Sequence, residues 1–124
     1  MKLQQTKIFD AYNITHYGEG YLLVNRERRI ESGVVVMPQA ILEDWGSAGF
    51  EGLTLADMER LKDSGAEIVL IGTGPRQRFP QPALLRPLME ARVGFEIMDS
   101  AAACRTYNIL MSEGRKVAAA ILFC

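Results

Sequence analysis

The sequence predicts an α/β domain, and three observations carry that expectation. Val34-Val35-Val36-Met37, Glu67-Ile68-Val69-Leu70-Ile71 and Gly94-Phe95-Glu96-Ile97-Met98 are short strand-like runs, the first two apolar enough for strands covered on both faces. Segments with helical apolar spacing lie between them. The first third of the chain lacks that spacing and instead carries β-prone fragments divided by Asp, Asn and Gly. Two strand–helix–strand units in series, over residues 34–98, would normally connect parallel strands through right-handed crossovers.

Taken in order, Ile8-Phe9, Tyr12 to Tyr17 and Tyr21-Leu22-Leu23-Val24 read as strands of a β-meander, with Asn25 to Arg29 as a polar turn before Ile30. Gly33 opens the first buried run and Pro38 ends it. Ile41 and Leu42 read as the start of a short helical turn, and Glu43 to Gly52, with three glycines and two aromatics, as a loop. Trp45 and Phe50 there either make an exposed contact or fold back onto the core. Thr54 caps a helix that runs to Ser64, with Asp57 completing a capping box and Leu53 and Met58 placed as a hydrophobic staple. Leu55, Met58 and Leu61 form its apolar face, and Gly65 is its stop.

After the second buried run, Gly72-Thr73-Gly74-Pro75 turns the chain toward a helix over about Pro82 to Arg92. Leu84, Leu85, Leu88 and Met89 share its helical spacing, and Pro87, lacking an N–H, should bend or shorten it. The last helix begins near Asp99-Ser100, turns Ala103, Tyr107, Leu110 and Met111 to one side and ends at Gly114. Lys116 to Phe123 then reads as a closing strand, an apolar tail that as an edge would invite pairing with a second copy.

The 124 residues suit one domain, 1–124, with no repeat or linker. At 48% hydrophobic and 23% charged the composition is that of a folded globular chain, not a disordered one. A net charge of −1 leaves no overall basic field, so nucleic acid is not expected as a partner. No apolar stretch approaches the ~20 residues of a membrane span, and the first residues carry neither a secretory nor a transit signature, so a cytoplasmic protein is expected. Cys104 and Cys124 fit neither a disulfide framework nor a zinc site, and no metal or cofactor is expected. The one histidine, His16, is far from both cysteines in sequence and reads as structural.

The segment most able to carry chemistry is Gly72-Thr73-Gly74-Pro75-Arg76-Gln77-Arg78-Phe79-Pro80, between a core strand and a helix. Ligands of open α/β sheets bind at such carboxyl-end loops, where glycines admit close backbone approach and helix N–H groups favour anions. Arg76 and Arg78 could add charge-assisted hydrogen bonds. Between Gly72 and Arg92, four arginines (Arg76, Arg78, Arg86, Arg92) oppose Glu90 alone, a net of +3. From Glu43 to Glu67 seven acids oppose Arg60 and Lys62, a net of −5. The loop is neither a Walker loop nor a dinucleotide fingerprint, since Gln77 stands where the latter needs its third glycine. No carboxylate pair or triad accompanies it, so no catalytic residue is named. A strand-to-helix turn with solvated arginines is the plainer reading, and Thr73 is either a cap or a ligand contact.

Val69-Leu70-Ile71-Gly72-Thr73-Gly74, Phe79-Pro80, Thr106-Tyr107-Asn108-Ile109-Leu110 and Glu113-Gly114-Arg115-Lys116-Val117-Ala118-Ala119-Ala120, in this order and spacing, resemble a family of small α/β domains of unknown molecular function. That family includes bacterial and archaeal proteins, the mitochondrial complex I assembly factor 3 and an adipogenesis-associated protein. The resemblance spans nearly the whole chain and implies three layers: a central mixed, mostly parallel sheet, helices, and an added β layer from the N-terminal strands. It also implies a final strand antiparallel to its neighbours, and a bacterial member. It brings no established catalytic residues.

Two functions follow as expectations. The first is a non-enzymatic binding or assembly domain, accessory to a larger complex, whose protein partner meets the Arg76–Arg78 loop together with Trp45 and Phe50. The second is binding or turnover of a small anionic metabolite at Gly72, Thr73, Gly74, Arg76 and Arg78.

Overall fold

The computed structural model describes residues 11–124, so the Ile8-Phe9 strand lies outside the described residues. Strands β1 (Ile14–Gly18), β2 (Tyr21–Val24) and β3 (Arg28–Ile30) form a three-stranded antiparallel meander. The central sheet has the order β5-β4-β8-β6-β7, from β4 (Val34–Met37), β5 (Ala40–Glu43), β6 (Ile68–Thr73), β7 (Gly94–Met98) and β8 (Val117–Leu122). Three helices complete the domain: α1 (Leu55–Lys62), α2 (Pro82–Glu90) and α3 (Ser100–Ser112).

Alternation along the central strands gives two cores. Val35, Val69, Ile71, Ala118, Ala120 and Leu122 face Met58 and Leu61 of α1 and Leu88 of α2. Val34, Val36, Leu70, Ala119 and Ile121 face α3 and the inner side of the meander, where Leu22, Val24 and Ile30 meet Tyr107. The small alanines of β8 let helices approach the sheet from both sides. This is the expected three-layer architecture: helices, mixed sheet, then α3 with the added β layer.

Sequence distance alone could not fix strand direction. Met37-Pro38-Gln39-Ala40 turns the chain tightly, so Ile41 and Leu42, expected in a helical turn, form β5 against Val36 and Val35. That hairpin reverses the chain once more before α1, and β4 therefore runs opposite to β5, β6, β7 and β8. The first strand–helix–strand unit is thus not a parallel crossover from β4. The final strand is antiparallel to β4 but parallel to β6, correcting the implied antiparallel arrangement. Its thirteen-residue lead-in helix spans ~20 Å at 1.5 Å per residue and returns the chain to the starting end of the sheet. The apolar tail is consequently a central strand, not an edge, which removes the self-pairing surface expected of it.

Local signals behaved as their chemistry requires. The Thr54–Asp57 capping box is complete, with Thr54 Oγ1 accepting Asp57 N–H and the Asp57 carboxylate accepting Thr54 N–H at 2.9 Å. Leu55, however, is 54% exposed at the first turn, outside the face of Met58 and Leu61. The helix α3 closes with Gly114 at φ 81°, its N–H on Met111 and that of Arg115 on Leu110. Helix α2 ends the same way, with Arg92 N–H on Met89 and Val93 N–H on Leu88, but Arg92 takes the left-handed position at φ 57°. Asn108 mimics a neighbouring strand: its Oδ1 accepts Ile14 N–H at 2.9 Å and its Nδ2 donates to the Ile14 carbonyl at 2.7 Å. The edge of β1 is satisfied at Ile14 in this way.

Candidate functional site

Strands β5, β6, β7 and β8 point the same way, so their carboxyl ends and the loops that follow gather at one end of the sheet. Gly72 and Thr73 end β6 there, beside Asp99-Ser100 at the start of α3 and Leu122 at the end of β8. A buried serine ties these segments. Ser100 Oγ donates to the Leu122 carbonyl at 2.6 Å and accepts Gly74 N–H at 2.8 Å, while Ser100 N–H donates to the Gly74 carbonyl at 2.9 Å. A Cβ on Gly72 would lie 2.8 Å from that hydroxyl and 2.9 Å from Ser100 Cα, so the glycine is required by close approach of α3.

Thr73 is fully buried. Its hydroxyl donates to the Arg76 carbonyl at 2.7 Å and accepts Arg78 N–H at 3.0 Å, which folds Gly74 to Arg78 into a compact turn. Gly74 adopts φ 94°, which a side chain would strain. The Arg78 guanidinium turns back onto the Thr73 carbonyl, with Nη2 at 2.6 Å and Nε at 3.2 Å, and lies 4.4 Å over the Phe50 ring. Phe50 N–H in turn reaches the Cys124 carbonyl at 3.2 Å, and Gln77 Nε2 holds the Ile97 carbonyl at 2.9 Å. The candidates Gly72, Thr73, Gly74 and Arg78 are thus brought together, with the Thr73 hydroxyl, the Gly74 N–H and the Arg78 N–H, Nε and Nη2 all bonded within the protein.

Other candidates separate. Arg76 stays exposed on the loop. Arg92 sits at the far end of α2, beside Gly94, which pairs with Ile68 at the opposite end of β6. The four arginines therefore do not converge. Trp45, expected as a partner contact, is fully buried between the central sheet and α1, its Nε1–H donating to the Asp57 carbonyl at 2.9 Å. The hairpin β4–β5 carries it inward, and Arg60 Nη1 closes over the preceding Asp44 carbonyl.

Two residues of this end escaped the sequence reading. Ser100 looked like an ordinary helix-start residue, and only the approach of Leu122 and Gly74 makes it a bridge. Phe79 is 69% exposed, and its signal was an aromatic ahead of Pro80 and Pro82 in a stretch outside helix and strand. Ser100→Ala should leave a buried N–H and a buried C=O unpaired and cost about 2–4 kcal/mol in urea unfolding. A loss under about 1 kcal/mol would remove the bridge from the account.

Cys104 is buried under α3, and burial pushes its thiol up to about 12, so it is neutral at pH 7 and a poor nucleophile. Among the described residues no group of three or more His, Cys, Asp or Glu is placed to hold a metal ion. No helix of the described residues is long and apolar enough to cross a membrane.

Comparison with known proteins gives relatives across almost the whole domain. A Xenopus tropicalis protein named NADH dehydrogenase [ubiquinone] 1 alpha subcomplex assembly factor 3 is 30% identical over 110 residues, 87% of this chain. The chain spans only 58% of that relative's length. A Francisella tularensis protein named 13 kDa major membrane protein is 25% identical, with 98% of this chain and 99% of that one covered. A crystal structure from Bordetella parapertussis superposes with a TM-score of 0.83 at 36% identity, covering 92% of this chain and 97% of the other. Residues 14–122 match the family described as protein of unknown function (DUF498/DUF598), and the chain belongs to that family.

Proposed function

We propose that this chain is a binding domain that serves assembly of a larger complex through protein partners, and that its partner surface is the loop end of the α1–α2 layer around Phe79. The observation that carries the reading is Phe79 itself, 69% exposed on a turn whose own polar groups point inward. A rigidly presented aromatic is the kind of side chain that anchors interfaces. Leu55, 54% exposed, opens α1 at the same end, because both helices follow strands that point the same way. Arg76 adds a cation to the rim, so the matching partner surface is an apolar socket with acidic surroundings. The names of the assembly-factor relatives support the assembly part of this reading. Gly72, Thr73, Gly74 and Arg78 then act as the scaffold that presents Phe79, and Trp45 acts from the core.

The metabolite reading of the same loop has less behind it, since Arg76 is the one candidate donor there not engaged in the turn. Capture of cross-linked partners from host cells, comparing the wild-type chain with Phe79→Asp/Arg76→Glu, tests the proposal. Both side chains are exposed, so stability should change by less than about 0.5 kcal/mol while specific partners are lost at least tenfold. Identical capture by the folded variant would overturn it.

A further inference from the structure

The central sheet ends at β7, which pairs with β6 on one side and, among the described residues, with no strand on the other. Gly94 N–H donates to the Glu67 carbonyl at 3.1 Å, and in the parallel register every second residue turns its backbone groups the same way. Gly94, Glu96 and Met98 therefore bond to β6, while Phe95 and Ile97 turn their N–H and C=O groups outward. One of those four outward groups is met, because the Gln77 side-chain amide donates to the Ile97 carbonyl at 2.9 Å. Phe95 N–H, Phe95 C=O and Ile97 N–H have no partner among the described residues. Gln77 thus stands where a donor of a sixth strand would stand.

The side chains of β7 define what fits this edge. Phe95 and Ile97 lie half-buried at the rim of the core under α2, which also holds the half-buried Leu84 and Leu85. A strand laid ~4.8 Å outside β7 brings its own side chains beside Phe95 and Ile97, so apolar residues there extend that core. Glu96 points to the opposite face, is exposed and makes no ion pair among the described residues. A cation directly across from it is favoured and a second acid disfavoured. That charge rule weighs against a second copy of this chain. Two-fold pairing of β7 with itself, in the register that joins Phe95 to Ile97, sets Glu96 against Glu96.

We propose that the β7 edge receives an extended segment of a protein partner as a sixth strand, with an apolar-basic-apolar triplet across from Phe95-Glu96-Ile97. Backbone hydrogen bonds supply the affinity, the alternating side chains supply the selectivity, and Gln77 gives way to the incoming backbone. The inference rests on the protein-partner reading above but not on Phe79 as its anchor.

Titration of the full 15N-labelled chain with the peptide acetyl-Thr-Val-Lys-Val-Thr-amide tests it. Saturable shifts are expected for the backbone amides of 93–98 and for the Gln77 side-chain amide. The same peptide N-methylated at its valines and lysine should bind about tenfold more weakly or worse, because its backbone donors are gone. A peptide with glutamate in place of the lysine should also bind more weakly, and Glu96→Lys should reverse the order of the two. The proposal is overturned if the N-methylated peptide binds as tightly, if the shifts fall away from β7, or if the folded Glu96→Lys variant keeps the wild-type order. Shifts of the same amides with protein concentration alone would assign the edge to a second copy and overturn it as well. Phe79→Ala should leave this titration unchanged, so the two readings fail separately.

Discussion

Trp45→Ala is expected to cost about 3–5 kcal/mol of stability, enough to unfold much of the population of a marginal domain. The indole is fully buried and packs in the core that joins the sheet to α1 and α2. Its removal leaves a cavity that Met58, Leu61 and Leu122 can fill only by moving, and it orphans the Asp57 carbonyl as a side-chain acceptor. Trp45→Phe separates these terms, since it keeps most of the ring volume and loses the N–H donor. It should cost about 1–3 kcal/mol. Trp45 is the one tryptophan in the chain, so unfolding must be followed by far-UV circular dichroism rather than fluorescence. A loss below about 1 kcal/mol for Trp45→Ala would contradict the buried placement and restore the surface role that the sequence left open.

Gly33→Ala is expected to destabilise by about 3 kcal/mol or more, although it adds a single methyl group. A Cβ at Gly33 would sit 1.9 Å from the Trp45 carbonyl oxygen, far inside contact distance, and 3.1 Å from the Gly46 carbonyl oxygen. Both neighbours are backbone, so no rotamer change relieves the clash. Trp45 N–H donates to the Gly33 carbonyl at 3.1 Å, which pins the two segments at that spacing. The methyl must either break this contact or displace the strand after it, β4, from β8. Gly65→Ala is the control for this argument: Gly65 has open space for a Cβ and loses only its favourable φ of 84°. Its cost should stay near 1–2 kcal/mol. Equal urea midpoints for the two variants would refute steric crowding as the reason for Gly33.

These two positions also show where the sequence was legible. The run Val34 to Met37, the capping box at Thr54 and the stop at Gly114 could be read directly, because each depends on neighbours within a few residues. Trp45 could not, because exposure of an aromatic in a glycine-rich loop depends on where the β4–β5 hairpin sends it. The same hairpin misled the reading of Ile41-Leu42, whose short apolar pair carries no period of its own. Pro87 is a milder case: α2 runs nine residues and stops two short of the expected Arg92.

The candidate loop divides in the same manner. Its location between a strand and a helix, and its glycines, came from local pattern. Whether its polar groups faced a ligand or each other was decided by Ser100, 26 residues from Gly74, and by Phe50, which gives Arg78 an aromatic face. Arg78 was named for its charge, and the tertiary structure employs it as a clamp on the Thr73 carbonyl.

By itself the sequence determined the α/β class, most element boundaries and the position of the strand-to-helix loop. These follow from spacing and capping, which act over one or two turns of chain. The tertiary structure alone decided that β8 is central, that Trp45 is core and that Phe79 is an aromatic left outside. Each of those facts joins residues far apart in sequence, and their meeting depends on strand direction. A single two-residue turn at Pro38-Gln39 sets that direction for the rest of the fold.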